Sequence, residues 1–264
     1  MISWTRQIRW PGFHNARDLG GLPTLGGPVT RFGTLIRSGD PRFVTPAGWQ
    51  AARAAGFRTI IDLRNDDEVR PDASPAGLPA GSATLTAGSA AAAPAPPLDL
   101  PAGLERTQVP LDDIQDVCFW RRLNDEGLNG TPLYYRPFLA AKPGRCAAVL
   151  AAIARARPGG VIFHCTAGRD RTGLIAMLLL ALAGVRPAAI ADDYALSAGQ
   201  VGALFAALDV ADSTAGIEAE LRRRGTTARA ALLDALSGLD PAARLRAAGL
   251  RDTDITALRA RLLD

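Results

Sequence analysis

The stretch "VIFHCTAGRDRTG", Val161 to Gly173, decides how the rest of the chain is read. It opens on an apolar run of the kind that fills a strand buried in a parallel sheet. Small residues follow, and beyond Arg171 the run "LIAMLLLALAGV" (Leu174 to Val185) reads as a core helix, too short to span a bilayer. Strand, tight loop and helix together make an anion-binding device. Backbone N–H groups converge in such a loop, and the positive end of the helix dipole adds to them. Ala167 and Gly168 let the backbone fold closely around a ligand.

Two side chains turn this cradle into chemistry. Cys165 sits at its floor, where a positive field favours the thiolate. Arg171 follows after five intervening residues and can hold two phosphoryl oxygens at once. A thiolate under a phosphate cradle is suited to phosphomonoester hydrolysis. Cys165 attacks phosphorus, while Arg171 and the amides of Thr166, Ala167, Gly168 and Arg169 hold the equatorial oxygens. A carboxylate must then activate water on the phosphocysteine. Thr172 is placed to donate a hydrogen bond to the departing sulfur, and His164 to orient the loop through backbone contacts rather than act as a base.

Composition narrows the class. The chain has 264 residues, 48% of them hydrophobic and 21% charged, as expected of one globular domain over 1–264. The net charge of +4 suits an anionic ligand without pointing to nucleic acid. Lysine occurs once, as Lys142. Three cysteines, Cys118, Cys146 and Cys165, imply no disulfide framework and a reducing compartment. No Cys/His cluster has zinc spacing, and neither His14 nor His164 sits in a serine-hydrolase motif, so no metal or cofactor is expected. The opening "MISWTRQIRW" lacks the apolar core of a signal peptide. The expected location is the cytoplasm, with secretion by a route that needs no signal peptide as the alternative.

Elsewhere, "TPAGWQAARAAG" predicts a helix capped by Thr45, started by Pro46 and stopped at Gly56. "FRTIIDLR" and "RTQVPLDD" read as strands and "CAAVLAAIARA" as a helix. Residues 73–104 form a low-complexity Ala/Pro/Gly/Ser tract, read as a surface loop because its flanks belong to one sheet. After Arg171 the pattern is helical to the end. The expected class is α/β: a central, mostly parallel sheet flanked by helices, with a C-terminal helical layer. Cys118 and Cys146 read as core residues, Arg17 and Asp18 as an ion pair, Tyr134 and Tyr135 as the start of a surface helix, and Tyr194 and Ser197 as packing.

"HCTAGRDRTG" resembles the signature of cysteine-based protein tyrosine phosphatases. It is most similar to the bacterial tyrosine phosphatase B family, whose loop reads His-Cys-x-Ala-Gly-Lys-Asp-Arg-Thr. "NARDLGG", "GTLIRSGDP", "GFRTIIDLRNDDE" and "GVRPAAIADDYALS" resemble further segments of that family in the same order. The resemblance implies the tyrosine-phosphatase fold, and partners that are phosphotyrosine proteins, with phosphoserine, phosphothreonine or phosphoinositides as further substrates in several members. It also supplies two candidate acids. Asp170 lies inside the loop, and Asp113 ends "VPLDD", where the family carries an acid after a proline-bearing strand. The two roles stay open between them. Arg169 replaces the family lysine, which weakens the lipid reading most, since Arg and Lys are not equivalent. The competing readings are a phosphoinositide phosphatase, a silent phosphate-binding module and a sulfurtransferase.

Overall fold

The computed structural model describes residues 5–69 and 100–263. The low-complexity tract therefore lies outside the described residues up to position 99. Its last part leads into the sheet, with Leu100 and Leu104 packed against the core.

Among the described residues five strands form one sheet: β1 (Arg17–Asp18), β2 (Leu35–Ser38), β3 (Phe57–Asp62), β4 (Glu105–Gln108) and β5 (Gly160–His164). Their order is β1-β2-β5-β3-β4, and only β1 runs antiparallel to its neighbour. The apolar run before Cys165 is thus the central strand, with Ile162 in register with Ile36 on one side and Ile60 on the other. Its alternate residues feed two cores. Val161 and Phe163 join the larger cluster, and Ile162 joins the smaller one with Phe13, Trp49 and Phe57. A strand covered on both faces has no reason to alternate with polar residues, which explains the unbroken run.

Helix α1 (Pro46–Ala54) covers the smaller core, with Thr45 Oγ1 accepting from Gly48 N–H at 3.2 Å as its cap. A short α2 (Asp66–Val69) follows β3, and α3 (Val117–Asp125), α4 (Tyr135–Ala141) and α5 (Pro143–Ala154) precede β5. Helix α6 (Asp170–Leu182) is buried almost all round, as its lack of a polar face demands. The C-terminal layer comprises α7 (Pro187–Ala195), α8 (Gly202–Leu208), α9 (Thr214–Arg223), α10 (Ala228–Leu236), α11 (Pro241–Ala247) and α12 (Asp252–Leu263). Among the described residues no single helix is long and apolar enough to cross a membrane.

Several single-residue expectations change. Cys118 is exposed, whereas Cys146 is buried. Tyr134 and Tyr135 are interior residues, at 2% and 0% exposure, because the turn before α4 folds them onto α6 rather than outward. Arg17 does not pair with Asp18. Asp18 instead accepts the N–H groups of Gly20 and Gly33, at 2.7 and 2.8 Å.

The central position of β5 makes a direct stability prediction. Ile162→Ala should lower unfolding free energy by about 2–5 kcal/mol, read by denaturant titration, because the cavity opens between two packed neighbours.

Candidate active site

The strands β2, β5 and β3 end together at Ser38, His164 and Asp62, and the loop from Cys165 leaves from that edge. Every carbonyl from Cys165 to Arg169 is held by a donor outside the loop. The Cys165 oxygen lies 3.0 Å from His164 Nδ1. That of Thr166 accepts from Asp40 N–H at 2.8 Å. Asn15 Nδ2 donates to the Ala167 oxygen at 2.9 Å. Arg37 donates to those of Gly168 and Arg169, at 3.0 and 3.3 Å. A planar trans peptide points its N–H opposite to its C=O, so the following amides are turned away from these donors, as an anion-binding nest requires. Gly168 has φ +69°, and a Cβ there would stand 2.5 Å from Gly39 N and Ser38 O. Only glycine fits.

The donors are themselves fixed. Arg17 and Arg37, both 1% exposed, converge on the buried Asp193 of α7 at 3.0 and 2.7 Å, and Arg6 joins them. Arg17 also donates to Asn15 Oδ1 at 2.8 Å and to Ser197 Oγ at 2.9 Å. Burial alone would raise the Asp193 carboxyl, but Arg17 and Arg37 outweigh it and hold it well below the usual carboxylate range. A second anchor lies under β3 and β5. Arg64 bridges Asp62 and Asp40, each at 2.7 Å, and His164 Nε2 stands 3.5 Å from Asp62. Burial lowers the pKa of His164, so its ring is neutral and serves as an orienting group.

Cys165 is 2% exposed at the head of the loop. Arg171 is gripped through both nitrogens by Glu68 of α2, at 2.5 and 2.6 Å, and Asp112 stands 3.4 Å from it. Glu68 also accepts from Thr166 Oγ1 at 2.9 Å, tying α2 to the loop. Burial opposes the charge on Arg171, yet Glu68 and Asp112 hold its pKa well above the ordinary guanidinium value. Burial raises the Asp112 carboxyl to about 6 against the pull of Arg171, with the like charges of Glu68 and Asp170 adding to the rise. The Thr172 hydroxyl is buried and has no partner among the described residues.

Of the expected site residues, the structure gathers His164, Cys165, Thr166, Ala167, Gly168, Asp170, Arg171 and Thr172. Asp113 is not brought to the loop. Its carboxylate is bound by Lys142 and Arg145, both at 3.1 Å, while its neighbour Asp112 takes the position on Arg171. Arg169 contributes its backbone, but its side chain is only 3% exposed and turns to Asp170, Ser213 and Thr214, at 3.2, 3.2 and 3.3 Å. Asp170 is further held by Tyr194, whose hydroxyl donates to Oδ1 at 3.4 Å, and Tyr135 donates to its backbone oxygen at 2.7 Å. Glu68, Asp112, Asn15, Arg37 and Asp193 are functional neighbours to which the sequence attached no role, and Tyr135, expected at the start of a surface helix, joins them. All but Tyr135 lie in the quoted segments, Asp112 beside Asp113 in "RTQVPLDD", so the signal was present without its meaning.

Two substitutions test this scaffold. Asp193→Asn leaves two buried guanidiniums short of charge and should cost about 3–5 kcal/mol of stability, with weaker inorganic phosphate binding by calorimetry. Glu68→Gln should cost less stability than that, because Asp112 still faces Arg171, yet weaken phosphate binding about tenfold, since a charge-assisted grip on Arg171 is replaced by a neutral one.

Comparison with known proteins agrees with this geometry. A sequence model described as the tyrosine phosphatase family matches residues 8–264. A Cupriavidus necator protein assigned as a tyrosine-protein phosphatase is 32% identical over 195 residues, which are 72% of this chain and 62% of that protein. The chain thus spans less than two thirds of that relative's length. The triple specificity protein phosphatase PtpB of Mycobacterium tuberculosis is 27% identical over 224 residues, 74% of this chain and 71% of its own. A tyrosine-protein phosphatase of Nostoc commune is 63% identical over 46 residues, 17% of this chain. The chain belongs to the tyrosine phosphatase family.

Proposed function

We propose that this chain is a cysteine-dependent phosphatase that hydrolyses phosphotyrosine in proteins, and phosphoserine or phosphothreonine with it, through a phosphocysteine intermediate. The observation that carries the reading is the row of five outward-held carbonyls between Cys165 and Arg171. It builds a site for a tetrahedral dianion directly at a thiol. A phosphoryl group there meets inward amides and the Arg171 guanidinium, which Glu68 already orients.

The chemistry follows from the placement. The Cys165 thiolate attacks phosphorus, and the P–O bond to the leaving phenol or alcohol breaks. The leaving oxygen takes its proton from Asp112, the carboxyl whose pKa burial raises to about 6. Water then attacks the phosphocysteine, giving its proton to a carboxylate, and the S–P bond breaks. Asp170, fixed by Tyr194 and Arg169, is the acid inside the loop suited to orient that water. The free Thr172 hydroxyl donates to the sulfur as it leaves. Asp113 serves to dock Lys142 and Arg145 instead.

Arg169 bears on the choice between protein and phosphoinositide substrates. A second phosphate on an inositol ring needs a free cation beside the loop, and the Arg169 guanidinium is buried against Asp170, Ser213 and Thr214. That supports the protein reading. Parallel assays on a phosphotyrosine peptide and on short-chain phosphoinositides decide it: peptide turnover should dominate, and lipid turnover far above it would reverse the ranking.

Cys165→Ser should abolish hydrolysis of an aryl phosphate while preserving phosphate binding; retained activity would sink the mechanism. The pH profile tests the acid. Asp112 must be protonated to donate, so kcat/KM for a substrate with a poor leaving group should fall as pH rises through about 6, the value in the empty loop. Asp112→Asn should lower that rate about a hundredfold and flatten this limb, whereas Asp113→Asn should leave both unchanged.

A further inference from the structure

Behind the catalytic loop, α7, α9 and the start of α10 enclose a cavity of about 340 Å³. That volume lies within the range of small-ligand sites. Ala195, Ala198, Ile217 and Leu221 give it an apolar lining. Its inner wall is made by Arg169 and Tyr194, the same two side chains that hold the Asp170 carboxylate. The cavity therefore touches the loop chemistry without containing any of it.

Its rim carries an unspent charge. Arg169 is paired with Asp170, and Arg229 with Asp192 at 2.6 Å. Arg222 is exposed on α9, and its guanidinium forms no hydrogen bond or ion pair among the described residues. Glu218 lies one turn earlier on the same rim and does not pair with it. The site thus offers an apolar hollow with a free guanidinium at its mouth. The ligand matching both is a carboxylate on an unbranched hydrocarbon chain. The lining has no buried, unpaired acceptor that would call for a polar head inside, and a guanidinium fork matches a carboxylate.

We propose that this cavity binds a single-chain fatty acid, its tail along Ile217 and Leu221 and its carboxylate on Arg222, and that occupancy is felt at the catalytic loop through Arg169 and Tyr194. The tail packs against both, restricts their motion and so fixes Asp170. Ordering the wall in advance leaves less to order when an oxyanion binds, which makes the two ligands cooperative. The site stands apart from hydrolysis, so it can be tested even on a chain that turns over nothing.

The experiment is calorimetric titration of the full chain with sodium decanoate below its micellar range, with and without saturating inorganic phosphate. Saturable binding is expected, and decanol, which lacks the charge, should bind about tenfold more weakly. Arg222→Gln should weaken decanoate binding by a similar factor of about ten, and Ile217→Glu should abolish it, because a carboxylate would be placed on the apolar wall. Glu218→Gln should tighten it by removing the competing charge. None of these residues belongs to the catalytic machinery, so phosphate binding in the absence of decanoate should be unchanged and also reports correct folding. With native chain, phosphate should tighten decanoate binding about fivefold, and decanoate should tighten phosphate binding by the same factor. Equal affinity for decanol and decanoate, or indifference to Arg222→Gln and Ile217→Glu, would overturn the site. Equal phosphate affinity with and without decanoate would overturn its link to the loop.

Discussion

A peptide plane cannot turn its N–H inward without turning its C=O outward, and the whole domain is arranged around that constraint. From Cys165 to Arg169 five carbonyls face protein interior where water is excluded. Each would cost roughly 1–3 kcal/mol if left unpaired. Donors reach them from β2, from the segment before β1 and from the turn after β2. Parts of the chain more than a hundred residues apart are therefore required to hold one loop. The sheet order serves the same end, since placing β5 between β2 and β3 puts its carboxyl end beside the donors of both neighbours.

The donors bring a difficulty of their own. Two guanidiniums with 1% exposure are expensive unless charge and hydrogen bonds compensate, and Asp193 with Ser197 and Asn15 supplies that compensation. Such a cluster is a poor route to stability compared with packed hydrocarbon, so its retention is better explained by what it points at. Asn15, with φ +45°, sits in a left-handed conformation that a short polar side chain tolerates, and its amide links Arg17 to the loop.

Much of this is visible in the sequence, and what is not has identifiable causes. The strand, the loop and the helix around Cys165 and Arg171 follow from local pattern, as do the cap at Thr45 and the helices after Leu182. Long-range partnership does not. Arg17 stands beside Asp18 in the chain, yet its charge partner is 176 residues away, because β1 faces α7. Asp112 and Asp113 are adjacent and chemically equal, and only the turn after β4 decides which is buried on Arg171 and which meets Lys142. Tyr134 and Tyr135 look like a polar helix start until α4 is packed against α6.

Around Arg171 the charges are unbalanced in a way that bears on turnover. Glu68 holds the guanidinium, and Asp112 and Asp170 crowd the same space, so one carboxyl is already driven toward its neutral form. A phosphoryl dianion entering the loop adds negative charge at the centre of this group and draws on Arg171, the cation that most favours ionised Asp112. Both changes act in the same direction, raising the Asp112 pKa beyond its value in the empty loop. In the mechanism we propose, the substrate thus loads its own acid. Protonation of Asp112 and occupancy of the loop are linked equilibria, and a proton is taken up at Asp112 as the dianion binds.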